Sequence, residues 1–203
     1  MQRVYDGNFY ELHMEHAMSG DLYEYRIYQR DGSYTDHSDP YCFQMELRPA
    51  HKSIVWDRSD FTFHDNTWMK NRREMYTGPL KIYELHLGSW RTKINGAWYH
   101  YDELAEPLAE YLKKSGYNYV EFMPISENPS DESWGYQNTG FFSPTSRYGT
   151  PSQLKQLIDT LHQNGIGVLL DFVPVHFAID AYGLAKYDGS ALYPVPGWQA
   201  QVE

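Results

Sequence analysis

The sequence predicts an α/β chain in which a parallel, crossover-connected sheet covered by helices follows an antiparallel β half. Three observations carry this reading. Residues 1 to about 75 alternate aromatic and polar residues in short runs broken by turn residues. From about Gly78-Pro79 the order becomes β-α-β-α-β with apolar strands, the pattern of a sheet buried on both faces. Polar and aromatic residues then gather after the C-terminal ends of those strands.

In the front half, Phe9 to Met14 and Leu22 to Tyr28 read as strands. Ser19-Gly20-Asp21 and Asp31-Gly32-Ser33 are turn signals, and Asp31-Gly32 between two such runs predicts a hairpin. Ser53 to Trp56 is a further short strand. In the back half, Lys81 to Leu87 reads as the first strand. Asp102 to Ser115 reads as a helix with Leu104, Leu108, Tyr111 and Leu112 on one face. Lys113, Lys114 and Gly116 suit its C-terminus, and Pro107 either kinks it or marks its true first turn. Tyr119 to Pro124 is the second strand. Residues 151 to 164 form the next helix, with Pro151 in its first turn, apolar Leu154, Leu157, Ile158 and Leu161, and Gly165 just past its end. Gly167 to Val173 is a third, buried-type strand.

Composition narrows the function classes. The chain has 203 residues and is 41% hydrophobic, enough to bury a core. Its 27 acidic residues outnumber 17 basic ones, so nucleic acid is a poor partner. Cys42 is the one cysteine, so no intrachain disulfide forms, which fits a reducing compartment. The first residues carry no apolar signal region, and no run approaches the roughly 18 apolar residues of a membrane helix. Tyrosine is abundant at 19 residues, and with 6 tryptophans these rings can stack on sugars or fill a β-rich core. No glycine-rich phosphate loop follows any strand, so no nucleotide or other cofactor is expected. A doubly wound sheet and a (β/α)8 barrel both fit the β-α-β-α-β run.

Four ordered strings carry a family resemblance. Tyr83-Glu84-Leu85-His86-Leu87-Gly88-Ser89-Trp90-Arg91 resembles the first barrel strand of 1,4-alpha-glucan (glycogen) branching enzymes, members of the alpha-amylase superfamily. Trp134 to Gly140 and Ser143 to Pro151 resemble the loop after their second strand, and Gly165 to Phe177 resembles the superfamily's first conserved region. The resemblance implies a partial (β/α)8 TIM barrel of three strands preceded by part of an all-β, starch-binding-like sandwich. The implied boundaries are 1–75 for the carbohydrate-binding-like module, 76–193 for the N-terminal part of the barrel and 194–203 for a divergent tail. Trehalohydrolases and isoamylase-type debranching enzymes are related alternatives, and a non-catalytic glucan-binding remnant is a third. The Gly-Ser-Trp-Arg and Thr-Ser-Arg-Tyr-Gly-Thr-Pro strings favour the branching enzymes over the related enzymes, while the missing carboxylates favour the remnant for the isolated chain.

The resemblance also implies chemistry. Such enzymes cleave an α-1,4 link with retention and pass the chain to a 6-hydroxyl. Retention needs two carboxyl groups about 5–5.5 Å apart. The family's nucleophile Asp and acid Glu come from its fourth and fifth strands, expected beyond residue 203, so no catalytic residue is assigned and the chain alone is expected to be inactive. Of the substrate-binding residues the resemblance implies, Tyr136 would stack on or border the sugar, His176 would donate to a sugar hydroxyl and Asp171 would hold neighbouring active-site groups, while Trp134 and Gln137 fit either sugar contact or core and loop packing. Glu84 and His86 share a strand face but read as barrel-lining. Where many α-amylases place a calcium-binding Asn, this chain has Val175, so no metal is expected. The implied partner is an alpha-glucan such as glycogen, amylose or a maltooligosaccharide, in the cytoplasm. Unpaired strand edges and apolar sheet faces lead to an expectation of self-association.

Overall fold

The computed structural model describes residues 1–5, 7, 9–29, 31–72, 77–175 and 177–190. The front half contains β1 (Gln2–Val4), β2 (Phe9–Glu11), β3 (Leu22–Tyr23), β4 (Tyr25–Tyr28), β5 (Tyr34–His37), β6 (Ser53–Ile54) and the short helix α1 (Asn66–Asn71). The strands form three separate antiparallel pairs, β1-β2, β3-β6 and β4-β5. The predicted hairpin is present: Tyr25 pairs with His37 and Tyr28 with Tyr34, and Gly32 takes the positive φ of 86° that closes the turn. The run Leu22 to Tyr28 is two strands rather than one. Leu22 and Tyr23 pair with Ile54 and Ser53, whereas Tyr25 onward pairs with β5. Glu24, between them, turns its carboxylate to Lys52 at 3.2 Å and His51 at 3.4 Å.

The back half runs β7 (Ile82–Leu85), α2 (Leu87–Trp90), α3 (Tyr101–Ser115), β8 (Tyr119–Phe122), β9 (Ser126–Glu127), β10 (Gly140–Pro144), α4 (Pro151–Gln163) and β11 (Gly167–Leu170). Strands β7, β8 and β11 form one parallel sheet in the order β11-β8-β7. Each pair of neighbours is joined through a helix, as the apolar β-α-β-α-β pattern predicts. Helix α3 passes through Pro107 without ending, so the proline does not mark the first turn. Burial of Leu104, Leu108 and Leu112 on the core side holds both halves of the helix in place. Tyr111 differs from the expected face: it is 36% exposed and edges against Trp90 and Tyr83 at the rim. Gly116 closes the helix with φ 77°, its N–H reaching Lys113 and that of Tyr117 reaching Leu112. Thr150 and Gln153 bond reciprocally at the start of α4, a capping box reinforced by Pro151.

Register divides the sheet into two faces. Tyr83, Val120 and Val168 align on one row and Leu85, Phe122 and Leu170 on the next, and most of these pack into the core with α3 and α4. On the opposite face Ile82, Tyr119 and Gly167 align, followed by Glu84, Glu121 and Leu169. Gly167 lacks a side chain where the Tyr119 ring lies, since a Cβ there would stand 2.1 Å from that ring. Leu170 and Phe172 are 52% and 60% exposed at the outer strand. No described helix is long and apolar enough to cross a membrane.

Candidate functional site at the C-terminal end of the sheet

The ends of β7, β8 and β11 deliver His86, Pro124 and Asp171 to one edge of the sheet, and the 123–150 segment folds over it. Tyr136 and Asp171, 35 residues apart in sequence, meet here: the Tyr136 hydroxyl donates to Asp171 Oδ2 at 3.0 Å. Asp171 is held in line by its own N–H, which extends the ladder to Phe122 O at 2.9 Å. Partial burial raises the Tyr136 phenol above its ordinary value, and the carboxylates of Asp171, Glu84 and Glu121 add to the rise. This end of the sheet is therefore acidic and hydrogen-bonding. It offers acceptors to hydroxyl-rich molecules and repels anions.

Trp134 projects from the same segment. It is 56% exposed, has a left-handed φ of 53°, and stacks on His86 with ring centres 5.9 Å apart. Gly135 follows with φ 89°, and its missing side chain lets the backbone close on the Pro124 carbonyl, which a Cβ would approach to 2.1 Å. Trp134 thus lies beside His86, while Tyr136 turns to Asp171. Gln137 is exposed. His176 falls outside the described residues, as does the 194–203 tail. Among the described residues, no group of three or more His, Cys, Asp or Glu side chains gathers as a metal cluster.

What the sequence reading missed is the scaffold under this segment. Arg147 is buried and donates through Nη1 to Glu127 Oε1 at 2.9 Å, to Asn128 O at 2.8 Å and to Thr145 Oγ1 at 3.1 Å. Its Nε donates to Asp131 Oδ1 at 2.6 Å. Glu127 also accepts from Ser146 N at 2.7 Å and Thr145 Oγ1 at 3.0 Å. Arg48 from the front half pairs with Asp131, and Ser146 Oγ donates to Met45 O at 2.5 Å, so the front half braces the loop that carries Trp134 and Tyr136. The Ser-Arg-Tyr string contains Arg147, but an arginine in a polar loop carries no signal of burial until its carboxylate partners are placed.

The alpha-amylase family (Alpha amylase, catalytic domain) matches residues 104–189. The 1,4-alpha-glucan branching enzyme of Halothermothrix orenii is 47% identical over 95% of this chain and 31% of its own length. The resemblance is to the 1,4-alpha-glucan branching enzymes. That of Fusobacterium nucleatum is 46% identical over 91% of the chain and 30% of its own length, and that of Geobacillus stearothermophilus 43% identical over 98% and 32%. The chain therefore spans about a third of the length of these branching enzymes. The crystal structure of a Salmonella typhimurium protein assigned as an alpha amylase superposes with a TM-score of 0.63 and 27% identity, over 81% of this chain and 26% of that one.

Proposed function

We propose that the chain supplies part of the glucan-binding floor of a 1,4-alpha-glucan branching enzyme, which cleaves α-1,4 links with retention and transfers the glucan to a 6-hydroxyl in glycogen biosynthesis. The observation that carries this reading is the meeting of Tyr136 and Asp171 at the sheet end, within a chain 47% identical to a branching enzyme. On this reading β7, β8 and β11 are the first three strands of a (β/α)8 barrel within residues 76–193, and residues 1–75 are part of a carbohydrate-binding-like sandwich. Polar groups at strand C-terminal ends are where such barrels carry their sites.

In this proposal Tyr136 stacks on or borders the sugar, while Asp171 fixes its hydroxyl and keeps an acceptor for neighbouring groups. Trp134, Gln137 and His176 complete the sugar contacts. Exposed apolar residues of the outer strand favour self-association, and the cytoplasm, where glycogen is made, is the proposed location. The two carboxylates of the transfer step are not assigned to any residue of the chain. The test is the 203-residue polypeptide on amylose and glycogen. We expect no new α-1,6 links, retardation in a glycogen-containing gel, and weaker retardation for Tyr136→Ala. Full branching turnover, or retardation indifferent to Tyr136, would overturn the reading.

A further inference from the structure

The segment after β11 crosses from the parallel sheet to the front half, where it docks on the end of β5 and the stretch before β6. The buried His37 donates its Nδ1–H to Gly183 O at 3.2 Å, and Ser38 N donates to Tyr182 O at 3.2 Å. The His51 and Tyr182 rings stack with centres 3.9 Å apart and planes 16° from parallel. Ser38 Oγ donates to His51 O at 2.6 Å, so one buried serine holds both sides of the stack. We infer that His51 is a positioning residue: its ring clamps Tyr182 and, through residues 177–183, sets where Tyr136 and Asp171 meet. The clamp stands whichever ligand the site takes, and its effect on glucan affinity rests on the reading above.

The near end of the same segment returns to the site. Ala178 is buried and donates its N–H to Asn138 O at 3.3 Å. Asn138 is buried too, and its Nδ2 donates to Val173 O at 3.5 Å. Asn138 lies two residues after Tyr136, and Val173 two residues after Asp171. These bonds tie the loop that bears Tyr136 to the strand end that bears Asp171, just past the Tyr136–Asp171 bond itself. Movement of Ala178 therefore reaches both members of the pair.

The front half holds the other side of the site as well, through Arg48 on Asp131 and Met45 O on Ser146. The stretch 37–51 thus anchors both segments that meet at the pair. Apolar burial fastens the second segment only at Ala178 and Leu184 among its described residues, while Ile179 is 84% exposed. With so little buried surface, the stack and the hydrogen bonds decide how often the segment opens. Burial pushes the Tyr182 phenol up to about 12, so its ring packs as the neutral form. His51 also turns Nε2 toward Glu24 Oε1 at 3.4 Å. Phenylalanine at this position keeps a ring face for Tyr182 and gives up the Glu24 contact, which separates the two roles.

The experiment follows hydrogen exchange of the Ala178 N–H in the full chain by NMR, with the Asn138 side-chain amide signal as a second reporter. His51→Ala and His51→Phe are compared with wild type. We expect Ala178 exchange to rise about two- to tenfold in His51→Ala and the Asn138 signal to shift, with exchange at Leu108 in α3 unchanged. His51→Phe restores both reporters. Maltotetraose affinity, read by calorimetry, should fall over about the same range in His51→Ala and recover in His51→Phe. If His51→Ala does not melt cooperatively, Tyr182→Ala against Tyr182→Phe decides. Faster exchange confined to residues 37–51 and 182–184, an equal rise at Leu108, or His51→Phe behaving as His51→Ala would overturn the positioning role. A wild type that binds no maltotetraose would overturn the glucan reading, and the exchange pattern alone would then decide the clamp.

Discussion

The Tyr136 hydroxyl donates to Asp171 at 3.0 Å across 35 residues of sequence, joining the loop after β8 to the end of β11. This bond brings together two residues that the sequence could only nominate separately. It also defines what the surrounding scaffold must hold still.

Arg147 is the centre of that scaffold. Replacing it with Met would remove four hydrogen bonds and leave Glu127 buried without its countercharge. The expected loss is about 3–5 kcal/mol of unfolding free energy, read by urea denaturation. Adding Glu127→Gln should recover part of it, because the unpaired charge is then gone.

Asp131 sets an acid limit. Burial opposes its ionisation, but hydrogen bonding and charge from Arg147, then Arg48, hold its carboxyl below the usual 3.8. A depressed folded-state pKa gives stability that is present above the unfolded value and lost as pH falls through the folded one. The melting temperature of wild type should therefore fall more steeply below about pH 4 than that of Asp131→Asn. Added salt should narrow the difference, because Asp131 is partly exposed.

Gly167 is required by the Tyr119 ring, which lies 2.1 Å from where a Cβ would stand. Gly167→Ala should cost about 1–3 kcal/mol in a denaturant melt. Combined with Tyr119→Ala, the loss should be less than the sum of the single losses, because the two residues compete for one space.

Leu170 and Phe172 give the sheet an exposed apolar margin. Size-exclusion chromatography with light scattering should find wild type self-associated, and Leu170→Lys with Phe172→Lys shifted toward monomer. A monomeric wild type would remove this margin as an association surface.

The parallel sheet and its two long helices were legible because they rest on local signals. The Leu104, Leu108 and Leu112 stripe, the Pro151 start and the Gly116 stop each act within a few residues. The front half was less legible, since partner choice there is non-local: Tyr23 and Tyr25 lie two residues apart yet join different ladders. Tyr136 and Asp171 could be nominated from their strings, but their contact depends on how the 123–150 loop folds. The Arg147 network was invisible, because burial of an arginine is fixed by carboxylates brought to it from Glu127 and Asp131.

On the proposed reading, Tyr136 and Asp171 act as a unit in holding glucan. The direct measurement is a double-mutant cycle on maltotetraose affinity by calorimetry, using Tyr136→Phe, Asp171→Asn and both together. Wild type is expected to bind, each single change to weaken binding, and the double change to weaken it little more than either alone, because each removes the same hydrogen-bonded pair. Strictly additive effects, or affinity unchanged by both single substitutions, would contradict that reading.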